Sequence, residues 1–363
     1  MIYPDYKNSI KNISATFSKY LGKEDGSTIK ILEDELKKNY KNVFFIVFDG
    51  MGVDVLNKVA KNTIMQNNIK TKVTSVFPST TTNATTTMLT NRLVDVHKYL
   101  AWSMYFKKLN RCVDIYMAKD SYTGEEVDNY LETKAEPYFF TFKPNRKICS
   151  VFPSFYHNVP ESNIIANTIE ELGEGIIAHS KTPEEKFVYC YSTEPDSTMH
   201  ENGVTSEETK EVISRIDKML KFVTENVTDT LLVLTADHGH IDVSETINIY
   251  EDRPLMECLA RPLSMEPRAI SFKLIKGKEE QFLKEMDKYS KDFTLLKADE
   301  LINKGVFGNV DDELKDYLGD YIAIGTETNK IARFHKDKMI FKGHHTGMTE
   351  AEMYVPLIMI KVK

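Results

Sequence analysis

The stretch VFFIVFDG at residues 43–50 predicts the architecture of this chain. Six consecutive apolar residues without alternation are typical of a strand buried on both faces of a parallel sheet. Asp49 and Gly50 then mark a turn at the carboxyl end of that strand. Similar apolar runs recur at 186–191, 231–235 and 354–360. We interpret all four as parallel strands, the last at an edge or with a bulge because Pro356 cannot donate a ladder hydrogen bond.

Amphipathic helical segments lie between these strands. Residues 206–223 are one example, in which Val212, Ile216 and Met219 share a face. Alternation of strands and helices predicts an α/β fold with a largely parallel sheet and helices on both faces. Residues 251–338 are richer in Lys, Asp and Glu, and we interpret them as an inserted α+β cap subdomain. The predicted core therefore comprises residues 1–250 and 339–363.

Composition restricts the class of protein and its partners. The 363-residue chain has 47 Lys and Arg against 54 Asp and Glu, a formal net charge of −7, which argues against a broad surface for nucleic-acid phosphates. Its apolar runs are too short to cross a bilayer, and residues 1–18 lack the apolar core of a secretory signal. The four cysteines form no CxxC pair, so we expect reduced thiols. We therefore expect a cytoplasmic protein with a small-molecule substrate and neither a nucleic-acid nor a membrane partner.

Three aspartates follow predicted strands: Asp49, Asp196 and Asp237. Ligands bind at the carboxyl ends of strands in open parallel sheets. Carboxylates that converge there repel one another unless cations compensate their charge. The positions of these acids therefore predict a metal site.

Histidines accompany these aspartates. His200 lies one helical turn after Asp196, and His238 follows Asp237 directly. His344 and His345 lie in a glycine-rich turn before the last strand. His240 is either a structural residue or a residue that supports the ligands from behind. Imidazole and carboxylate together suit zinc, and manganese and iron also accept them. The combined pattern is typical of a two-metal site.

A cluster of hydroxyl residues, PSTTTN at 78–83, precedes a predicted helix. Such a cluster is commonly a helix cap. Backbone N–H groups at a helix N-terminus also favour an anion. A hydroxyl presented beside a divalent cation loses its proton more easily and becomes a nucleophile.

Taken together, these motifs resemble those of the nucleotide pyrophosphatase/phosphodiesterase (type I phosphodiesterase) family of the alkaline phosphatase superfamily. The matching segments, in order, are FDG at 48–50, PSTT at 78–81, D-x-x-x-H at 196–200, DHG at 237–239 and HTGMTEAEMYVPLI at 345–358. The resemblance covers the chain from the first strand to the last and is weakest over 251–338. It implies an alkaline-phosphatase-like three-layer α/β/α sandwich.

The resemblance also implies a role for each matching residue. Thr81 is expected to be the nucleophile, with Thr80 as the alternative if the register differs by one. One metal would be held by Asp196, His200 and His345, and the other by Asp49, Asp237 and His238, with Thr81 Oγ1 approaching it. Two divalent ions are expected, with zinc as the first choice.

Two positions depart from the family pattern. The position where many family members carry an Asn that binds a phosphoryl oxygen falls at or next to Trp102, and the family's His-Gly reads His97-Lys98. These departures bear on the substrate class. Trp102 is the candidate substrate-binding residue.

The expected activity is bimetal-dependent hydrolysis of phosphodiester or nucleotide pyrophosphate bonds through a phosphothreonine intermediate. The alternatives within the superfamily are a phosphomonoesterase and a phosphomutase. A sulfatase is disfavoured because the Thr81 region has no C/S-x-P-x-R motif. From a different class, a catalytically inactive phosphoester-binding protein is the remaining alternative.

Overall fold

The computed structural model describes residues 1–128, 144–155, 162–326, 330–333 and 341–363. Within them the strands are β1 Asn42–Phe48, β2 Ile69–Thr74, β3 Ser103–Phe106, β4 Arg111–Asp114, β5 Lys119–Asp120, β6 Lys147–Phe152, β7 Asn163–Ile165, β8 Lys186–Ser192, β9 Thr230–Thr235, β10 Ile241–Asp242, β11 Glu245–Asn248, β12 Ser264–Glu266, β13 Ala269–Phe272, β14 Phe293–Lys297, β15 Tyr321–Gly325, β16 Lys330–Arg333, β17 Gly343–His344 and β18 Tyr354–Val362. The α-helices are α1 Ile10–Tyr20, α2 Lys30–Leu36, α3 Val53–Val59, α4 Ile64–Asn67, α5 Thr81–Thr90, α6 Val94–His97, α7 Ile169–Ser180, α8 Asp196–Asn202, α9 Glu207–Asn226, α10 Arg253–Met256, α11 Glu279–Met286, α12 Ala298–Asn303, α13 Asp312–Leu318 and α14 Glu350–Met353.

The larger sheet has the strand order β2-β18-β9-β1-β8-β6-β7. Strands β9, β1, β8, β6 and β7 are parallel, as predicted for three of the four apolar runs. The parallel direction predicted for residues 354–360 is wrong, because β18 is antiparallel to both β9 and β2. The chain reaches β18 from the carboxyl edge of the parallel strands and must run back across the sheet. β18 is also not an edge strand, but its register shifts between Leu357 and Ile358, so the predicted bulge is confirmed.

Helices cover both faces of this sheet. Phe17 of α1 packs on Phe45 of β1, with ring centroids 4.7 Å apart. On the opposite face, α7 approaches β6 so closely that a Cβ on Gly175 would lie 2.9 Å from Val151. Every β1 residue is buried as a result, which explains its unbroken apolar sequence. The predicted three-layer α/β architecture is confirmed.

A second sheet has the strand order β14-β15-β13-β12-β3-β4-β5 and is antiparallel. Residues 264–325 supply four of its strands, and residues 103–120 supply the other three. The cap boundaries at 251–338 stay a prediction, and residues 327–329 and 334–338 of that segment lie outside the described residues. Met265 of β12 pairs with Ser103 of β3, so the second sheet joins two distant parts of the chain.

A buried ion pair connects the second sheet to the C-terminal segment. Arg268, in the turn between β12 and β13, donates to Glu352 of α14 through Nε at 2.6 Å and Nη2 at 3.2 Å. Both side chains are fully buried. Glu352 also accepts hydrogen bonds from the Gly347 N–H and the Thr349 hydroxyl. The segment that carries His345 is therefore held against the second sheet.

Cys112, Cys149, Cys190 and Cys258 are all buried free thiols. Over the described ranges, the helices fall short of the length and apolar character that a membrane crossing requires.

Candidate metal centre

The three aspartates meet at the carboxyl edge of the parallel strands. The Asp49 N–H donates to the Ser192 carbonyl at 3.0 Å, and the Asp196 N–H donates to the Asp49 carbonyl at 3.1 Å. Gly50 has a φ of +72°, and a Cβ there would lie 3.0 Å from the Cβ of Asp196. Glycine therefore permits both the left-handed turn after β1 and the close approach of Asp196.

Asp49, Asp237 and His238 form one group of candidate ligands, with ligand atoms all within 4.8 Å of one another. His238 Nε2 lies 3.2 Å from Asp49 Oδ1 and 3.4 Å from Asp237 Oδ2. Asp237 is oriented through its other oxygen, which accepts the N–H groups of Gly50 and His238, both at 3.0 Å. The structure therefore brings together the set expected to hold one metal.

Asp196 is the centre of the second group. His200 Nε2 lies 3.3 Å from Asp196 Oδ2, and His345 Nε2 lies 3.9 Å from Asp196 Oδ1. The His345 ring stacks on His238, with centroids 3.7 Å apart, so the two groups share one site. Two groups of close ligand atoms share Asp196: one adds His200 and His240, and the other adds His238 and His345. His200 and His345, expected for the other metal, thus both lie beside Asp196 but in different groups.

The rings of His345 and His344 differ in how far their neighbours fix the tautomer. His344 Nδ1 lies 2.8 Å from the His345 backbone nitrogen and 3.0 Å from the His345 carbonyl oxygen, so these neighbours do not fix its tautomer. His345 Nδ1, in contrast, lies 2.9 Å from the Ser79 carbonyl and must donate to it, which leaves Nε2 with a free lone pair. His345 also belongs to a group of three close ligand atoms with Asp196 and His238, whereas His344 belongs to no such group among the described residues. These observations favour His345 as the ligand.

The other two candidate imidazoles are oriented in the same way. His200 Nδ1 donates to the Gly343 carbonyl at 2.9 Å, and His238 Nδ1 donates to the Gly239 carbonyl at 3.0 Å. Such bonds fix the tautomer of a metal-binding histidine. Burial lowers the pKa of His200 to about 4, so its ring is neutral at physiological pH and able to bind a cation.

His240 is a site residue whose position the sequence did not predict. His240 does not lie in a layer behind the candidate ligands, because its Nε2 is 3.2 Å from Asp196 Oδ1. Asp196, His200 and His240 form a further group of three with mutually close ligand atoms. Only its place two residues after His238 hinted at this role.

The residues present fit divalent cations. Asp196 Oδ1 and Asp237 Oδ2 are buried and make no hydrogen bond among the described residues. Burial and the neighbouring Asp196 charge raise the pKa of Asp49 well above its usual value, and burial and Asp49 do the same to Asp237. Uncompensated buried carboxylates of this kind are unfavourable. Bound cations would remove both the repulsion and the unmet hydrogen-bonding capacity.

Of the two threonines considered as nucleophile, only Thr81 faces these ligands. Its Oγ1 lies 3.3 Å from His238 Nε2 and 3.4 Å from Asp49 Oδ2. Thr80 is the N-cap of α5, and its hydroxyl donates to Glu266 Oε1 at 2.7 Å. The Thr80 hydroxyl is thus turned away from the ligand set, and of the two hydroxyl groups only that of Thr81 lies beside it.

Glu266 of β12 is a second residue that the sequence did not indicate, because it lies in no motif. The same oxygen that accepts the Thr80 hydroxyl also accepts the Trp102 N–H at 2.7 Å. The Trp102 ring is partly buried, 6.1 Å from the Tyr116 ring, and the Tyr116 hydroxyl contacts Thr85 on α5. Burial raises the pKa of Glu266 to about 7. Trp102 therefore lies near α5, and its backbone N–H is fixed by the hydrogen bond to Glu266.

Solved structures with the same fold include proteins that act on or bind phosphorus compounds. Murine ectonucleotide pyrophosphatase/phosphodiesterase 5 is 19% identical, with a TM-score of 0.64 and coverage of 87% of each chain. An inactive variant of it in complex with AMP is 20% identical, with a TM-score of 0.63 and the same coverage. Phosphonoacetate hydrolase from Sinorhizobium meliloti, in complex with phosphonoformate, is 13% identical, with a TM-score of 0.63, and the match covers 88% of this chain and 90% of that one.

The family assignment rests on a match in sequence over most of the chain. The model of the type I phosphodiesterase / nucleotide pyrophosphatase family matches residues 43–332. The match begins at β1 and takes in Asp49, Thr81, Asp196 and the Asp237-His238 pair. It confirms the resemblance drawn from the motifs and indicates phosphoester hydrolysis. This chain belongs to the type I phosphodiesterase / nucleotide pyrophosphatase family.

Proposed function

We propose that this protein hydrolyses phosphodiester or nucleotide pyrophosphate bonds with two divalent cations and a phosphothreonine intermediate on Thr81. The observation that carries the proposal is the position of Thr81 Oγ1, within 3.5 Å of both Asp49 oxygens and of His238 Nε2. A hydroxyl so close to a candidate cation site is placed to become a nucleophile. One cation would be held by Asp49, Asp237 and His238, and the other by Asp196, His200 and His345.

In the first step the Thr81 hydroxyl gives up its proton and Oγ1 forms a bond to phosphorus, while the bond from phosphorus to the leaving oxygen breaks and that oxygen takes up a proton from solvent. In the second step water cleaves the bond between phosphorus and Thr81 Oγ1, which restores the hydroxyl and releases the phosphate product. Divalent cations, when bound, lower the pKa of hydroxyl groups and stabilise negative charge on the attacking and leaving oxygens. Asp49 lies where it can accept a hydrogen bond from the Thr81 hydroxyl before attack.

The formal charges of the proposed ligands and cations allow an anionic substrate to bind. Two divalent cations contribute +4, while Asp49, Asp196 and Asp237 contribute −3 and a Thr81 alkoxide contributes −1. The sum is zero, so a phosphoryl group enters a site without net repulsion. This local neutrality explains how an acidic chain, with a net charge of −7, can bind a phosphoester.

A nucleotide is the first substrate class to test, because a related structure was determined in complex with AMP. Trp102 is the residue proposed to contact such a substrate. Its backbone N–H donates a hydrogen bond to Glu266, so a contact with the substrate would have to come from its side chain. W102A should raise KM and leave kcat within about threefold, because the backbone contact is retained. W102F is the matched control that preserves an aromatic face.

The proposal is tested on purified protein by metal analysis and a substrate panel. The panel contains an aryl phosphodiester, an aryl phosphomonoester, a dinucleotide and phosphonoacetate. We expect two zinc ions per chain and the highest kcat/KM on the diester or the dinucleotide. Stoichiometric metal with no turnover on any ester would support the inactive binding protein instead. Preference for the monoester would support the phosphatase alternative.

Two further expectations remain proposals. Zinc is proposed as the metal because the site combines several imidazoles with carboxylates. A cytoplasmic location is proposed because all four cysteines are free thiols. Metal content of the protein isolated from its natural source tests the first, and localisation of a tagged chain tests the second.

A further inference from the structure

We propose that His240 is a ligand of the cation at Asp196, in addition to His200 and His345. That side of the centre then offers one carboxylate and three imidazoles. The proposal rests on the proposed function only in that a divalent cation is bound at Asp196. It adds a ligand that neither the motifs nor the family resemblance indicated.

The spacing of the donor atoms supports this role. Zinc binds nitrogen and oxygen at about 2.0–2.1 Å in a tetrahedron, so neighbouring ligand atoms lie about 3.3 Å apart. His240 Nε2 lies 3.2 Å from one oxygen of Asp196 (Oδ1), and His200 Nε2 lies 3.3 Å from the other (Oδ2). Ligand atoms of these three residues all lie within 4.8 Å of one another. His345 Nε2 is farther away, at 3.9 Å from Asp196 Oδ1. By this criterion His240 is at least as well placed as His345.

The surroundings of His240 point to a missing partner. The side chain is fully buried, and neither ring nitrogen makes a hydrogen bond within the described part of the chain. Buried polar groups are nearly always satisfied in folded proteins. Asp196 Oδ1, which lies 3.2 Å from His240 Nε2, also makes no hydrogen bond there. A cation between the two atoms would satisfy both.

Gly343 provides the room for this ring. A Cβ at Gly343 would lie 2.8 Å from His240 Cε1 and 3.0 Å from Nδ1. The Gly343 carbonyl also accepts from His200 Nδ1. One glycine thus lets the His240 ring approach and orients the His200 ring beside it, which places both imidazoles on the same side of Asp196.

The two cation positions then differ in chemistry. Two carboxylates and one imidazole surround the position at Asp49, whereas three imidazoles and one carboxylate surround the position at Asp196. Imidazole-rich sets favour zinc, while carboxylate-rich sets also accept magnesium and manganese. The Asp196 position should therefore bind zinc more tightly and fill first.

Zinc titration of the metal-free full-length chain, in competition with a chromophoric chelator, tests the proposal. Wild type should bind two ions with unequal affinities. H240N shortens the side chain so that it no longer reaches Asp196, and the tighter step should weaken by at least about 100-fold while the weaker step is unchanged. H240Q, which keeps the size of the side chain, should weaken the same step. Thermal unfolding of the metal-free variants shows that they fold.

H344N is the matched control. His344 is also buried beside the centre, and the Asn oxygen can still accept the His345 N–H. This variant should bind zinc like wild type. A folded H240N that titrates like wild type would overturn the proposal, as would an equal weakening by H344N. Two bound ions without ester turnover would overturn the proposed function and leave the role of His240 standing.

Discussion

Thr81 Oγ1 lies 3.3 Å from Nε2 of His238, whereas the hydroxyl of the preceding Thr80 is bonded to Glu266. T81A should lower kcat by at least about 1000-fold, because no neighbouring hydroxyl replaces the nucleophile. T80V, which loses only a supporting hydrogen bond, should stay within about tenfold of wild type. Initial rates on an aryl phosphodiester measure both effects. Zinc content must remain at the wild-type level in T81A, and equal losses in the two variants would contradict the assignment.

D237N should change stability in opposite directions without and with metal. Burial and Asp49 raise the pKa of Asp237, so the metal-free wild type loses stability as the pH rises through that value. Asparagine carries no charge, and the metal-free variant should therefore have a higher Tm than metal-free wild type at pH 8. Zinc at 100 times its Kd stabilises wild type by about 2.7 kcal/mol, and D237N should gain much less. A lower Tm of metal-free D237N would contradict this prediction.

E266Q should increase the stability of the metal-free protein at alkaline pH. Burial raises the pKa of Glu266 from 4.5 to about 7. The folded state therefore binds a proton that the unfolded state has released between these values, and this stabilisation is lost as the pH rises through about 7. The glutamine oxygen can still accept from Thr80 and Trp102, so E266Q should be more stable than wild type by about 3 kcal/mol at pH 8.

The difference in free energy of unfolding between E266Q and wild type should decrease as the pH falls from 8 to 5. Urea unfolding at several pH values measures it. E266A is the control, because it removes the carboxyl group and both hydrogen bonds together. If E266Q and wild type have parallel pH profiles, Glu266 titrates normally in the folded protein.

R268M should destabilise the protein by about 3–5 kcal/mol, because it leaves Glu352 as a buried charge without its partner. The double variant R268M/E352Q should lose less than the sum of the single variants, since it removes both charges. The hydrogen bonds that Gly347 and Thr349 donate to residue 352 can be retained by glutamine. Free energies of unfolding in urea give the coupling energy of the pair. If the losses of the two single variants add up to that of the double variant, the coupling energy between Arg268 and Glu352 is zero and the prediction is wrong.

The sequence predicted those site residues that follow apolar strands or stand in motifs. Asp49 and the Asp237-His238 pair come directly after β1 and β9, so the topology of a parallel sheet brings them to one edge. Asp196 and His200 are joined by one helical turn. These relationships are local in the chain or follow from the order of the strands, so the sequence alone was sufficient to predict them.

The remaining features depend on contacts between distant segments. Glu266 reaches Thr80 only because the second sheet packs against the start of α5, and nothing near position 266 signals that contact. The direction of β18 follows from where the preceding turn lies, which apolar content does not encode. The choice between His344 and His345 could be argued from motif register, but its structural reason is the position of His345 beside Asp196 and His238, which are distant in sequence.

The pairing of β12 with β3 limits how this protein can be recombined with its relatives. A chimera that exchanges residues 251–338 alone would cut the second sheet between two hydrogen-bonded neighbours and replace the partner of Ser103. It would also remove Glu266, which contacts Thr80 at the start of α5, and Arg268, which contacts Glu352 in the C-terminal segment. A transplant that respects the sheet must carry residues 103–120 as well. The unit of exchange in this protein is therefore discontinuous, made of two segments that meet only after folding.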